Sequence, residues 1–257
     1  MTATLTHARL LSGRSLRTLS RQPAYLLFTL VQPMVWLLLF GQLFRRVAEL
    51  PGFGGNYLDY LTPGVVVMTA MMSAGWSGTS IVQDMERGVM DRTLTSPIRR
   101  SALVTAGLAH QALVTVVQSL IMFATGLLAG ARYPGGARGL LVVLACAVLV
   151  ALIFAGLSNA VALLVHQQEA LIAVAQFLVL PLAFLSSVMM APALMPGWVA
   201  RAARFNPVDW AAVASREALR ADPDWGLVLD RTALLAALAI LMAWLAGRAY
   251  RVHQRSL

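Results

Sequence analysis

Six long runs without a charged residue constrain what this chain can fold into. They are residues 22–44, 60–83, 101–131, 139–168, 170–200 and 232–247. Five of these runs exceed the roughly 20 residues that a helix needs to cross a hydrocarbon core of about 30 Å. The sixth reaches that length if Asp230 and Arg231 lie at the membrane interface. The sequence therefore predicts an all-α integral membrane protein with six transmembrane helices.

The composition agrees with helices that cross a bilayer. Only 12% of the residues are charged, against about 25% in a typical soluble domain. The runs are continuously apolar and lack the alternation of a barrel strand. The segments between them are short, so we expect a single transmembrane domain over residues 1–257. Its predicted spans are about 24–44, 60–83, 102–131, 139–165, 170–191 and 227–247.

The positive charge of the chain is carried by arginine alone. There are 20 arginines, no lysine and 11 acidic residues. The arginines are dispersed between apolar runs and form no basic face, so anionic lipid headgroups are the expected partner and nucleic acid is not. Their distribution favours a multi-pass protein of the cell (inner) membrane with both termini cytoplasmic.

Two polar segments on the predicted cytoplasmic side allow alternative interpretations. Residues 5–21 place Arg14, Arg17 and Arg21 on one face, which is typical either of an interfacial helix or of a basic flank. Residues 84–96 combine many charged residues with an apolar stripe at helical spacing, and Pro97 ends this segment. From the residues alone, this second segment is either an amphipathic helix that docks to a partner or a solvated hairpin loop.

A third segment, on the predicted outer side, precedes the last span. Asn206 is followed by Pro207 and Asp209, which is the pattern of an N-cap, a first-turn proline and a first-turn acid. We therefore expect short outer helices at about 197–220, in or on the outer leaflet.

Within the spans, four uncharged polar side chains are candidates for the substrate path or for bonds between helices. They are Gln32, Gln118, Asn159 and Gln176. His166 and Glu169 are better explained as a structural turn than as a metal or acid–base pair. Without lysine a Walker-type phosphate loop is impossible, and no catalytic constellation is present. We expect no cofactor and no metal on this chain.

Three features together resemble the permease subunit of type-2 ATP-binding-cassette (ABC) exporters, in the daunorubicin-resistance-like branch. They are the basic segment ending at Arg21-Gln22-Pro23, the sequence E-R-G-V-M-D-R-T-L-T-S-P from Glu86 to Pro97, and F-N-P-V-D-W from Phe205 to Trp210. The resemblance covers nearly the whole chain, and the middle feature is its specific part. The chain departs from the family at Val89, more often Thr, and at Thr93, usually Leu or Arg.

The resemblance implies a transport subunit that works with two kinds of partner. A second permease chain pairs with it, and a cytoplasmic ABC ATPase subunit carries the ATP and Mg and performs the hydrolysis, so this chain is not an enzyme. Residues 84–96 become the coupling helix. The residues implied in coupling are Met85, Glu86, Arg87, Asp91, Arg92, Thr95, Arg14, Arg17 and Arg21.

The apolar spans favour an amphipathic drug, lipid or lipid-linked substrate. A polysaccharide or glycolipid exporter ranks second, because aromatic residues make up only 8% of the chain. A passive membrane anchor and an intramembrane enzyme are the further alternatives.

Overall fold

The computed structural model describes residues 23–44, 56–86, 100–165 and 167–253, and within them every regular element is helical. The predicted interfacial segment 5–21 lies outside the described residues. The helices are α1 Pro23–Leu43, α2 Tyr57–Gly75, α3 Thr79–Glu86, α4 Arg100–Leu128, α5 Gly136–Val165, α6 Gln168–Phe184, α7 Gly197–Ala203, α8 Pro207–Ala218 and α9 Trp225–His253, with a 3-10 turn at Pro192–Leu194.

Four segments in the described part of the chain are long and apolar enough to cross a membrane. They are Tyr57–Gln83, Gly107–Leu128, Gly136–Val165 and Trp225–Arg248, and two shorter apolar helices cover Thr29–Leu43 and Gln168–Phe184. Large apolar side chains also point away from the bundle, including Leu128, Phe177 and Ile240, which are 90%, 77% and 71% exposed. Such surface is favourable against lipid and costly in water, so the chain is a multi-pass membrane protein.

Helix α5 lies at the centre of the bundle. It contacts α2, α3, α4, α6, α8 and α9. Its buried residues are mostly small, for example Ala147, Ala151 and Ala155, which lets neighbouring helices approach closely. At Gly156 the backbone of Met242 on α9 is so near that an added Cβ atom would lie 3.1 Å from it.

The second predicted span, 60–83, is covered by two helices. Helix α2 ends at Gly75 and α3 begins at Thr79, so three residues at Trp76–Gly78 interrupt the helix within an otherwise apolar segment. We call the end of the bundle that carries the last turn of α3 the α3 end, and the opposite end the α8 end.

The fifth predicted span, 170–191, is helical only as far as Phe184. Pro181 lies in its last turn, where its ring permits no backbone N–H bond, and the amide of Leu185 closes the helix by donating to the Pro181 carbonyl at 2.8 Å. Residues 185–191 then follow an irregular path at the α8 end.

Helix α8 begins as its sequence predicts. Asn206 caps it by accepting a hydrogen bond from the Val208 amide at 2.9 Å, and Pro207 and Asp209 occupy its first turn. It ends at Ala218, where the backbone lies directly against α5: a Cβ atom at Gly139 would be 2.4 Å from the Ala218 carbonyl oxygen.

We expect Gly139→Ala to lower the stability of the bundle by about 1–3 kcal/mol, because α5 and α8 must separate to admit the methyl group. Thermal unfolding in detergent micelles, followed by circular dichroism, measures this. The matched control is Gly107→Ala on α4, where an added Cβ atom meets no atom within 4 Å. The control should keep or raise the Tm, since alanine favours a helix over glycine. Equal Tm values for the two variants would contradict the close packing of α5 on α8.

Candidate functional site

The irregular segment at residues 185–191 is held by side chains from two helices. The Tyr57 hydroxyl donates to the Met189 carbonyl at 2.8 Å, and the Tyr60 hydroxyl donates to the Ser187 carbonyl at 2.7 Å. Both tyrosines belong to the first turns of α2. A segment without helical hydrogen bonds can lie inside a membrane bundle only if its backbone groups find such partners.

Helix α8 supplies partners from the other side. Asp209 accepts a hydrogen bond from the Ser187 amide at 2.7 Å. The Asn206 amide group donates to the carbonyls of Leu182 and Leu185 at 2.7 and 2.8 Å, which are among the carbonyls left free where α6 ends.

Arg216 makes the largest set of contacts in this region. Its Nη2 donates to the carbonyls of Ser187 and Val188 at 2.6 and 2.8 Å, and its Nη1 donates to the Ser187 hydroxyl at 3.1 Å. Its Nε donates to the Tyr60 carbonyl at 3.0 Å, and the guanidinium lies 3.6 Å from the centre of the Tyr60 ring. We call Tyr57, Tyr60, Asn206, Asp209 and Arg216 the Arg216 clamp.

The electrostatics of the clamp are set by a cation with little access to water. Burial lowers the pKa of Arg216, while the nearby Tyr60 and Asp209 act to raise it. The close approach of the irregular segment to α2 also depends on Gly64, because a Cβ atom there would lie 2.5 Å from the Val188 carbonyl oxygen and 2.9 Å from Nη2 of Arg216.

A second set of contacts ties the turn between α4 and α5 to the start of α2. Asp59 accepts a hydrogen bond from the Arg132 amide at 2.7 Å, and the Asn56 amide group donates to the Gly130 carbonyl at 3.2 Å. In the same turn, burial raises the pKa of Tyr133 to about 12, so this phenol stays neutral at physiological pH. At the α8 end, hydrogen bonds therefore join α2 to α8, to the segment after α6 and to the turn between α4 and α5.

Two of the predicted coupling residues lie in the described part of the chain, at the opposite, α3 end. Met85 and Glu86 form the last turn of α3, and the Glu86 side chain is exposed. The remaining predicted coupling residues lie outside the described ranges; they are Arg87, Asp91, Arg92, Thr95, Arg14, Arg17 and Arg21.

The four candidate substrate-path residues lie on four different helices, in two kinds of environment. Gln118 and Asn159 are buried and bond to other elements: Nε2 of Gln118 donates to Thr29 of α1 at 3.4 Å, and Asn159 accepts from Ser77, between α2 and α3, at 2.9 Å. Gln32 is exposed on α1 and Gln176 is half-buried on α6. Gln32 borders a shallow groove whose other lining residues are Pro33, Trp36, Val65, Met68, Thr69 and Met72.

The described residues contain no group of three or more His, Cys, Asp or Glu side chains that could hold a metal ion. Glu169 is exposed in the first turn of α6, and His166 lies outside the described residues. The Arg216 clamp is one set of polar side chains that the structure brings together, and the sequence pattern identified only Asn206 and Asp209 of it, at the start of α8. Arg216 follows Asp209 by seven residues, two helical turns, on the alanine-rich buried face of α8, and a charge in that position was the available signal.

Comparison with known proteins identifies similar chains. Residues 6–219 match the model of the ABC-2 type transporter family. The chain is 31% identical to the daunorubicin resistance ABC transporter permease protein DrrB1 of Streptomyces coeruleorubidus, over 98% of this chain and 87% of that one. It is 28% identical to the putative transport permease ycf38 of Cyanophora paradoxa, over 75% of this chain and 67% of the relative. The ycf38 protein of Porphyra purpurea is also 28% identical, over 80% and 70% of the two chains.

We expect Arg216→Lys to destabilise the protein by about 2–4 kcal/mol, because an ammonium group cannot reproduce the planar fork that serves three carbonyls and a hydroxyl. Thermal unfolding in detergent measures the loss. The matched control is Arg220→Lys, one turn further along, where the side chain is 67% exposed and pairs with Glu217 at 3.1 Å. That change should cost less than about 0.5 kcal/mol. A loss of the same size in both variants would show that the clamp carries no special share of the stability.

Proposed function

Since the chain belongs to the ABC-2 type transporter family, we propose that it is the membrane-spanning permease subunit of an ATP-driven exporter. It forms the path for an amphipathic drug, lipid or lipid-linked substrate. It is a non-catalytic subunit: a separate cytoplasmic ABC ATPase binds ATP and Mg and performs the hydrolysis. A second permease chain, identical or related, completes the path.

The proposed topology has six spans, formed by α1, α2 with α3, α4, α5, α6 and α9. Both termini are cytoplasmic, so the α3 end faces the cytoplasm of the cell (inner) membrane and the α8 end faces outward. In this orientation the Arg216 clamp lies on the outer side and residues 84–96 reach the ATPase. The four arginines before α1 support the same direction, since positive charge favours the cytoplasmic side.

The observation that carries the proposal is the similarity over nearly the whole chain to a drug-resistance permease. The structure adds a physical link between the proposed ATPase contact and the bundle. Val82 of α3 is fully buried against Ala162 of α5 and Leu171 of α6, only a few residues before Glu86. A force applied to the segment that follows Glu86 therefore acts on packed helices.

The apolar interior and the relative's name support the proposed substrate class. Gln32 and Gln176 offer amide groups that both donate and accept hydrogen bonds, and they carry no charge that a membrane-soluble substrate would have to compensate. The relative is named as a daunorubicin resistance permease. An efflux function in antibiotic resistance therefore makes daunorubicin the first substrate to test.

The central test is whether an ATPase co-purifies with the tagged chain from its native membrane in mild detergent. We expect one ATPase per permease chain, and we expect Glu86→Ala with Arg92→Ala to abolish the association by removing the charges of the coupling segment. The matched control is Arg138→Ala with Asp222→Ala, which removes an exposed arginine and an exposed acid at the α8 end and should leave the ATPase bound.

Two outcomes of this test would count against the proposal. A permease that purifies alone after gentle solubilisation would reopen the anchor and enzyme interpretations. Equal loss of the ATPase from both double variants would show that the effect is a general consequence of lost charge and is not specific to residues 84–96.

The substrate path is tested by Gln32→Leu and Gln176→Leu. Each should lower daunorubicin export from cells by about fivefold, the effect of losing one hydrogen bond, without loss of the co-purified ATPase. Gln167→Leu is the control, because Gln167 is exposed at the start of α6 and should keep export within about twofold. Unchanged export in both path variants would exclude these glutamines from contact with the drug.

A further inference from the structure

The interruption between α2 and α3 is stabilised by specific hydrogen bonds within the bundle. The segment Tyr57–Gln83 is long and apolar enough to be one span, yet residues Trp76–Gly78 leave the helix. Hydrogen bonds to the carbonyl three residues earlier replace the α-helical bonds there. The Ser77 amide donates to the Ala74 carbonyl at 3.1 Å, and the Thr79 amide donates to the Trp76 carbonyl at 3.1 Å. Such a break exposes backbone groups that need partners in a membrane.

Ser158 of α5 supplies those partners on both sides of the break. Its hydroxyl donates to the Gly75 carbonyl at 2.7 Å and accepts from the Gly78 amide at 3.0 Å. The next residue, Asn159, accepts a hydrogen bond from the Ser77 hydroxyl at 2.9 Å. Two consecutive residues of an unbroken helix therefore hold the last residue of α2 and the two residues before α3.

At Gly78 the backbone of the broken span lies in close contact with α5. A Cβ atom at Gly78 would lie 2.5 Å from the Ser158 carbonyl oxygen and 2.8 Å from its hydroxyl oxygen. The glycine allows the backbone of the broken span to touch the backbone of α5. We call Gly75, Ser77, Gly78, Ser158 and Asn159 the α2–α3 joint.

The joint also separates two apolar clusters. The main core contains Met71 and Ala74 of α2 and Phe154 and Ala155 of α5. Beyond the joint, Val82 packs with Ala162 and Leu171 in a second cluster, with Ile81 and Val161 beside it. Helix α5 runs unbroken from the first cluster to the second, whereas the span formed by α2 and α3 is interrupted between them.

From this arrangement we propose that the α2–α3 joint is a pivot and that Ser158 is its positioning residue. When the segment after Glu86 moves with the ATPase, α3 turns about Gly78 while α5 keeps its direction. A hydroxyl is suited to this, because it is one donor and one acceptor on a single rotatable bond and can stay bonded to Gly75 and Gly78 as their angle changes. This inference rests on the proposed function, since it assigns the route by which the ATPase moves the permease.

Distances between spin labels test the pivot directly. In the full complex with its ATPase, and with Cys146 replaced by Ala, one label is placed at Gln83→Cys on α3 and one at Gly107→Cys on α4. In the control pair the first label is placed at Leu164→Cys, an exposed position on α5, and the second stays at Gly107→Cys. Between the nucleotide-free state and the ATP-vanadate state, the distance from α3 to α4 should change and the distance from α5 to α4 should not.

The outcomes separate this inference from the proposed function. An unchanged distance in both pairs, with ATP-vanadate bound to the co-purified ATPase, overturns the pivot and leaves the permease assignment intact. Equal changes in both pairs also overturn it, because α3 and α5 then move as one body. If no ATPase co-purifies, the proposed function fails and the pivot fails with it.

A second measurement uses Ser158→Ala, with Ser119→Ala as the control because Ser119 is a buried serine of α4. Loss of two hydrogen bonds at the joint should lower daunorubicin export by about tenfold while the ATPase stays bound and continues to hydrolyse ATP. Ser119→Ala should leave both daunorubicin export and ATP hydrolysis unchanged. A purely structural role for Ser158 would instead lower the Tm, the ATPase content and export in parallel, and that result overturns the assignment.

Discussion

The structure depends on the requirement that backbone groups released by a broken helix inside an apolar bundle must be bonded by side chains. At the α8 end this falls mainly to Arg216, which bonds the carbonyls of Ser187, Val188 and Tyr60. One guanidinium can serve so many acceptors because its donors are fixed in a plane. Without it, the Val188 carbonyl would lose its donor, and α8 would lose its direct bond to the Tyr60 carbonyl of α2.

The same requirement is met differently at the two interruptions. The clamp uses a cation, a carboxylate, a carboxamide and two phenols drawn from α2 and α8, so several charged or long side chains converge on five or six residues of backbone. The α2–α3 joint uses the hydroxyls of Ser77 and Ser158 and the carboxamide of Asn159. Charge-assisted and multidentate bonds are stronger than bonds between neutral groups. The bonds at the clamp are therefore the stronger set, and the neutral set is next to the segment that leads toward the expected ATPase contact.

Sequence patterns predicted the parts of this protein that depend on local chemistry. The apolar runs indicated membrane helices, and the Asn206–Pro207 pattern placed the start of α8 correctly, because a run of apolar residues or a cap is encoded within a few positions. The break at Trp76–Gly78 was missed because no proline marks it; its partners, Ser158 and Asn159, are about 80 residues away. The contacts of Arg216 are not evident from the sequence for the same reason, since its acceptors come from α2 and from the segment after α6. Long-range hydrogen bonds carry no periodic signal.

The distribution of polar groups then suggests how a permease of this kind stays intact while it moves. Helix α5 contacts both the clamp region, where Gly139 abuts Ala218, and the joint, where Ser158 lies in the break. Helix α5 is continuous, is packed tightly at the α8 end and makes a rotatable contact near the α3 end. It can therefore keep its position while α3 is displaced, and the α8 end need not be disturbed. The neutral joint also avoids the cost of moving a charge through an apolar interior. If motion were concentrated at the clamp instead, each cycle would have to separate a guanidinium from three carbonyls and an aromatic ring. The location of the charged contacts therefore argues that conformational change enters this bundle from the α3 end.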